Sequence, residues 1–177
     1  LQFNGGKINL SDGTDLTVKS LGGPITINAI TGTADKDSDV VINADSTDGG
    51  AGNNANETIS IGDIGSGNEI ASVTLDGADG VTLKGNITLA NAALADLDID
   101  GKAYISGDVT ITTDNADHDG IIDFSSTIDG VTETSNGGNA NVDDNLVILA
   151  GDSAGTQGGS LLLGGIIGCL LYTSPSP

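Results

Sequence analysis

The chain is built from short aliphatic–polar–aliphatic triplets, and the series runs through twice in the same order. Leu16-Thr17-Val18 returns as Val109-Thr110-Ile111, Ile25-Thr26-Ile27 as Ile122-Asp123-Phe124, and Ile30-Thr31-Gly32 as Ile128-Asp129-Gly130. Val41-Ile42-Asn43 then matches Val147-Ile148-Leu149, and Ile59-Ser60-Ile61 matches Leu161-Leu162-Leu163. Offsets between matched segments run from about 93 to about 106 residues, so the order holds while the loops drift, as in stacked arrays. The reading divides the chain into a first copy over 1–100 and a second, truncated copy over 101–168.

Alternation with period two places both aliphatics of a triplet on one face and the Thr, Ser or Asn on the other. Thr, Val and Ile also sit well on a pleated surface. Between triplets come Asp12-Gly13, Asp76-Gly77, Asp79-Gly80 and Gly137-Gly138, which supply positive φ and side-chain turns. Helical signal is confined to the alanine-rich stretch from Leu89 to Leu97. The expectation is therefore all-β. Triplets are shorter than the five or six residues of an average strand. They suit the rungs of a right-handed parallel β-helix, in which inward Ile, Val and Leu stack along an axis. A β-sandwich is the structural alternative.

Composition sharpens this. The chain has 25 Asp and Glu against 5 Lys and no Arg, a formal net charge of −20. That excludes a basic patch for nucleic acid or an anionic membrane surface, and favours attraction of divalent cations. Disorder is the rival at such charge. However, 37% of residues are hydrophobic and they fall in ordered triplets. With 2 Phe, 2 Tyr and no Trp, the core must be aliphatic. The apolar run from Leu161 to Leu171 is broken by glycines and is too short to span a bilayer, which takes about 20 residues.

Residues 169–177 depart from the pattern and look like the translated end of a common sequencing adapter, so they are set aside. The chain also opens without Met. It reads as an internal, metagenomic fragment of a longer protein, and its one cysteine, Cys169, gives no information on redox compartment.

Val81-Thr-Leu-Lys-Gly-Asn-Ile-Thr-Leu-Ala90, Gly107-Asp-Val-Thr-Ile-Thr-Thr-Asp114 and Ile122-Asp-Phe-Ser-Ser-Thr-Ile-Asp-Gly130 resemble the repeats of filamentous-haemagglutinin-like and autotransporter-type adhesins. The resemblance covers residues 1–168. It implies a β-helical stalk, secreted or displayed on the outer membrane of a Gram-negative bacterium. It further implies that host or surface glycans and proteins are bound by other parts of the parent, and that adjoining solenoid repeats are this segment's neighbours. No direct membrane insertion and no enzymatic activity are expected of it.

One constellation has ligand chemistry. Asn115, Asp117, Asp119 and Asp123 place oxygens at the spacing of a calcium loop, with Gly120 at the sixth position. The pattern departs from the full loop at position twelve, where Ser126 replaces the bidentate Glu. A solvated acidic turn is the plain alternative, so no cofactor is expected apart from Ca²⁺ at this loop. Asp35-Lys36-Asp37-Ser38-Asp39 is a charged loop with Val40 where a turn glycine would be needed. His118 stands among acids with no nucleophile placed beside it by sequence. Lyase chemistry on acidic sugars would need cationic groups that this chain scarcely has. The remaining function classes are a calcium-stabilised secreted repeat and a polysaccharide-active β-helix, the latter requiring two facing carboxylates.

Overall fold

The computed structural model describes residues 1–33, 37–45, 56–89, 95–113, 120–130, 144–150, 159–167 and 170–172. Every regular element in these ranges is a strand. They are β1 (Gln2–Asn9), β2 (Leu16–Lys19), β3 (Ile25–Thr31), β4 (Asp39–Asn43), β5 (Thr58–Ile64), β6 (Ser72–Asp76), β7 (Gly80–Leu83) and β8 (Ile87–Thr88). The series continues with β9 (Leu97–Asp100), β10 (Ala103–Ile105), β11 (Val109–Thr112), β12 (Ile121–Gly130), β13 (Asn145–Leu149), β14 (Ser160–Ile167) and β15 (Leu170–Tyr172). Together they form one 15-stranded sheet, not closed into a barrel, in which each pairing is parallel. The all-β expectation holds, and the antiparallel layers of a sandwich are absent among the described residues.

The register sorts the triplets into three ladders. The first aligns Leu16/Val18, Val40/Ile42, Val73/Leu75, Leu97/Ile99, Ile122/Phe124 and Leu161/Leu163. The second aligns Ile25/Ile27, Ile59/Ile61, Val81/Leu83 and Ala103/Ile105, and passes to Ile128. The third runs Ile8, Ile30, Ile64, Ile87, Ile111 and Ile148. Long strands such as β12 and β14 serve two ladders, and their register shifts between the two halves.

Period-two alternation explains the core. Burial along β6 and β11 alternates between buried aliphatics and half-exposed Thr or Ser. The aliphatics of the central rungs, from Ile25 to Ile128, form a single cluster at or near 0% exposure. A fully buried aliphatic is worth roughly 1.5–3 kcal/mol, so a column of them offsets the ordering of many glycine-rich turns. Phe124, at 1%, is the one aromatic in this cluster among the described residues, occupying the slot that Leu75 and Ile99 fill in earlier rungs.

Where the chain turns between ladders, backbone passes so close to backbone that a side chain cannot fit. Gly65 has φ +75° and Gly101 has φ +105°. A Cβ at Gly65 would collide with the Thr88 carbonyl oxygen, and one at Gly101 with that of Gly77. Both conditions select glycine.

The triplets matched across the two presumed copies lie on different ladders. Leu16-Thr17-Val18 is on the first and Val109-Thr110-Ile111 on the third. Ile25-Thr26-Ile27 is on the second and Ile122-Asp123-Phe124 on the first. The unit visible in the register is shorter: Val73 aligns with Leu97, and Leu97 with Ile122. Pairing also crosses residue 100 without interruption, since β10 lies on β7 and β9 on β6. Leu170–Tyr172, within the presumed adapter tail, pairs with β13. Of the Leu89–Leu97 stretch, residues 90–94 lie outside the described residues; its ends pair as strand at Leu89 and Leu97.

Candidate functional surface

The polar side chains of the described region meet in two ways: across rungs on the outer faces, and in shallow clefts between ladders. On the outside of the first ladder, Thr74, Asp98 and Asp123 occupy successive positions of one row, and Asn43, Asp76 and Asp100 those of the next. Rows in a sheet are spaced by about 4.8 Å per strand, so these carboxylates feel one another. Asp76 is pushed above its ordinary value by partial burial, then by Asp45, Asp100, Asp98 and Glu57. Asp98 is raised by partial burial, then by Asp123 and Asp100. Hydrogen bonds soften the repulsion: Asn43 Nδ2 donates to Asp76 Oδ2 at 2.7 Å and Ser125 Oγ to Asp100 Oδ1 at 2.8 Å.

Several acids of this strongly negative chain also bond from one rung to another. Asp63 Oδ1 accepts from the Asn86 N–H at 2.9 Å, Asn86 Oδ1 from the Thr110 N–H at 2.8 Å, and Asp96 Oδ1 from the Ile121 N–H at 2.8 Å. Asp79 Oδ2 accepts from the N–H groups of Asn56 and Glu57 at 2.8 and 2.9 Å, which holds its carboxyl below the usual range. Each bond reaches a rung roughly one circuit away, so the carboxylates satisfy backbone donors that the short strands leave open. Asx residues recur near the triplets in the sequence, but which backbone donor each one reaches is fixed only by the register of the fold.

The second ladder's outer face differs. Lys102 Nζ lies 3.6 Å from Asp129 Oδ2 and 4.7 Å from the Tyr104 ring centroid. An exposed pair of this kind contributes at most about 1 kcal/mol. Two open clefts flank Asp63. One, of about 310 Å³, is lined by Asp63, Ser66, Glu69, Asn86 and Thr88 among others. The other, of about 290 Å³, is lined by Thr26, Asn28, Ser60, Asp63 and Lys84 among others. Asp63 accepts from backbone, and Glu69 also has an interaction partner.

Of the calcium-loop residues, Asn115, Asp117 and Asp119 lie outside the described residues, as does His118. Asp123 is on β12, in the acidic row beside Asp98. Among the described residues no group of three or more His, Cys, Asp or Glu side chains is arranged to hold a metal ion. In the charged loop at 35–39, Asp37 Oδ1 accepts from the Gly13 N–H at 3.3 Å, and Asp39 Oδ1 from Ser72 Oγ at 2.6 Å. Those two acids are engaged in structure. Among the described residues no helix is long and apolar enough to cross a membrane.

No family model, no curated protein and no solved structure matches this chain.

Proposed function

We propose that the three ladders are the faces of a right-handed parallel β-helix, and that this chain is a non-enzymatic stalk segment of a giant bacterial surface adhesin, secreted or displayed on a Gram-negative outer membrane. The observation that carries this reading is the register. Three aliphatic columns rise in parallel, and the chain visits them in the fixed order first, second, third before returning one rung on. Such a molecule turns sequence into length. Seven rungs of the second ladder, β1, β3, β5, β7, β10, β12 and β14, make a stack about 29 Å tall at roughly 4.8 Å per rung. Its polar surface lies on the outward Thr, Asn and Asp, and its acids serve rung-to-rung bonding, which suits projection of binding elements elsewhere in the parent.

Two measurements test this. Thr74→Cys with Asp98→Cys places two thiols on adjacent strands in register, within the Cα separation a disulfide accepts. Oxidation should join them, in a background lacking Cys169. Failure would remove the stacked-coil reading. For the stalk role, the chain is fused between an outer-membrane translocator and an epitope in a Gram-negative host. The epitope should be digestible by protease added to intact cells; an epitope retained inside would speak against it. Purified chain should turn over no member of a polysaccharide panel.

A further inference from the structure

We infer that Asn56 and Asp79 form an acid-released latch on the corner where the chain enters the second ladder. The inference goes beyond the stalk reading and needs only the parallel register of β5 and β7, which aligns Thr58 with Gly80. At this corner the backbone takes positive φ on one rung after another: Gly22 at +85°, Gly80 at +132° and Gly101 at +105°. On the rung between Gly22 and Gly80 the residue is Asn56, at φ +105°, and among the described residues it is the one non-glycine in that region. Asn tolerates positive φ better than most side chains, yet such a conformation lasts only where its surroundings hold it.

Asp79, one rung on, supplies the hold. Its Oδ2 accepts from the Asn56 N–H at 2.8 Å and from the Glu57 N–H at 2.9 Å. Its own N–H donates to the Glu57 carbonyl at 3.1 Å. Residue 57 is thus gripped from both sides, and Glu57 sits at 8% exposure. Bonds from N–H groups to a carboxylate are charge-assisted, about twice as strong as neutral ones. Both weaken when the carboxyl takes a proton, and the strain at Asn56 is then no longer offset. The bond from the Asp79 N–H persists as the point about which the turn swings.

The register fixes what else surrounds the latch. Asp45 and Glu57 lie on the preceding rung, Asp76 on Asp79's own, and Asp100, Lys102 and Tyr104 on the following one. Lys102 is engaged with Asp129 and the Tyr104 ring, and Asp45, Asp100 and Glu57 act on Asp76. The Glu57 N–H and then the Asn56 N–H hold the Asp79 carboxyl below its usual range, whereas partial burial and then neighbouring acids raise Asp76 and Asp98. Acid therefore acts in a fixed order. Asp76 and Asp98 are neutralised first, and the corner stays shut. Asp79 is protonated last, below the ordinary carboxylate range, and the turn at Asn56 opens.

The test follows the full 177-residue chain by NMR and amide hydrogen exchange. At neutral pH Asp79→Asn keeps a carbonyl oxygen but loses the charge, so exchange at the Asn56 and Glu57 amides should rise at least about tenfold. The Val81 amide, bonded to the Lys102 carbonyl, should keep its rate. Adding Asn56→Gly relieves the strain, and both amides should return to near the wild-type rate. In wild type, the Asn56 coupling constant that reports φ should hold steady while Asp76 and Asp98 titrate, then change together with the Asp79 carboxyl signal. Unchanged exchange in Asp79→Asn, no rescue by Asn56→Gly, or a coupling that ignores Asp79 protonation would each overturn the inference. Should Asp79→Asn lose its fold, seen as a fast Val81 amide, the acid titration of wild type decides. Should wild type unfold in acid before Asp79 titrates, the neutral-pH variants decide.

Discussion

Replacing Leu75 with alanine separates inward from outward positions within one strand. Leu75 is at 0% exposure, stacked between Ile42 on one rung and Ile99 on the other. The change removes about three carbon groups at roughly 0.8 kcal/mol each, or about 2.4 kcal/mol of transfer free energy. The cavity adds to this, because the flanking rungs are held by backbone ladders and cannot collapse; buried Leu→Ala changes cost about 2–5 kcal/mol in total. A loss of about 3 kcal/mol follows. Thr74, the neighbour pointing outward on the same strand, should change stability by no more than about 0.5 kcal/mol when replaced by alanine. With a urea m-value near 2 kcal/mol/M, the Leu75→Ala midpoint should drop by roughly 1.5 M while Thr74→Ala stays near wild type. Because each rung touches only its neighbours, hydrogen exchange should quicken mainly at β4, β6 and β9. Equal midpoints for the two variants, or exchange raised evenly along the chain, would refute the assignment of faces and of rung neighbours.

Four further outcomes are expected. Gly101→Ala forces a side chain onto φ +105° and into the Gly77 carbonyl, so it should cost at least about 1–3 kcal/mol in thermal melts, more than a surface Ala substitution. Asp76 and Asp98 have folded pKa values above their unfolded ones, so the folded state binds protons more tightly and these groups add stability as pH falls through the raised values; Asp98→Asn should raise the melting temperature at pH 7 and flatten that rise. Asp79 has the opposite sign: its contribution is present above its unfolded pKa and fades as pH falls through the lowered folded value, so Asp79→Asn should destabilise at pH 7 and matter little at low pH. EDTA should leave melting unchanged, and a marked drop would point to a calcium loop at 115–123.

Particular residues show what sequence could and could not reveal. Which side chain of Ile25-Thr26-Ile27 points inward was legible, because alternation alone decides it. Which face a triplet belongs to was not. All three ladders use the same aliphatic–polar–aliphatic chemistry, so Val109-Thr110-Ile111 resembles Leu16-Thr17-Val18 although they stand on different faces. Face follows from a triplet's place in the repeating order of corners, and those corners are written in Gly, Asp and Asn without a distinctive code. The acids were visible as charge, but their role as acceptors depended on a register only the fold supplies. Asp63 and Asn86 lie 23 residues apart, and nothing local links them.

The corners between ladders differ in how many residues they span. Between the first and second ladders the chain passes directly from Asp100 to Ala103, yet takes the longer route from Asn43 to Thr58. Between the second and third it goes from Ile105 to Val109, but also from Gly130 to Asn145. Val40 still aligns with Val73, and Ile111 with Ile148, as if nothing had been inserted. Corner length can therefore differ while the alignment of the rungs on either side is kept. Insertion at such a corner costs the sequence little, because the pairing that holds successive rungs is made elsewhere.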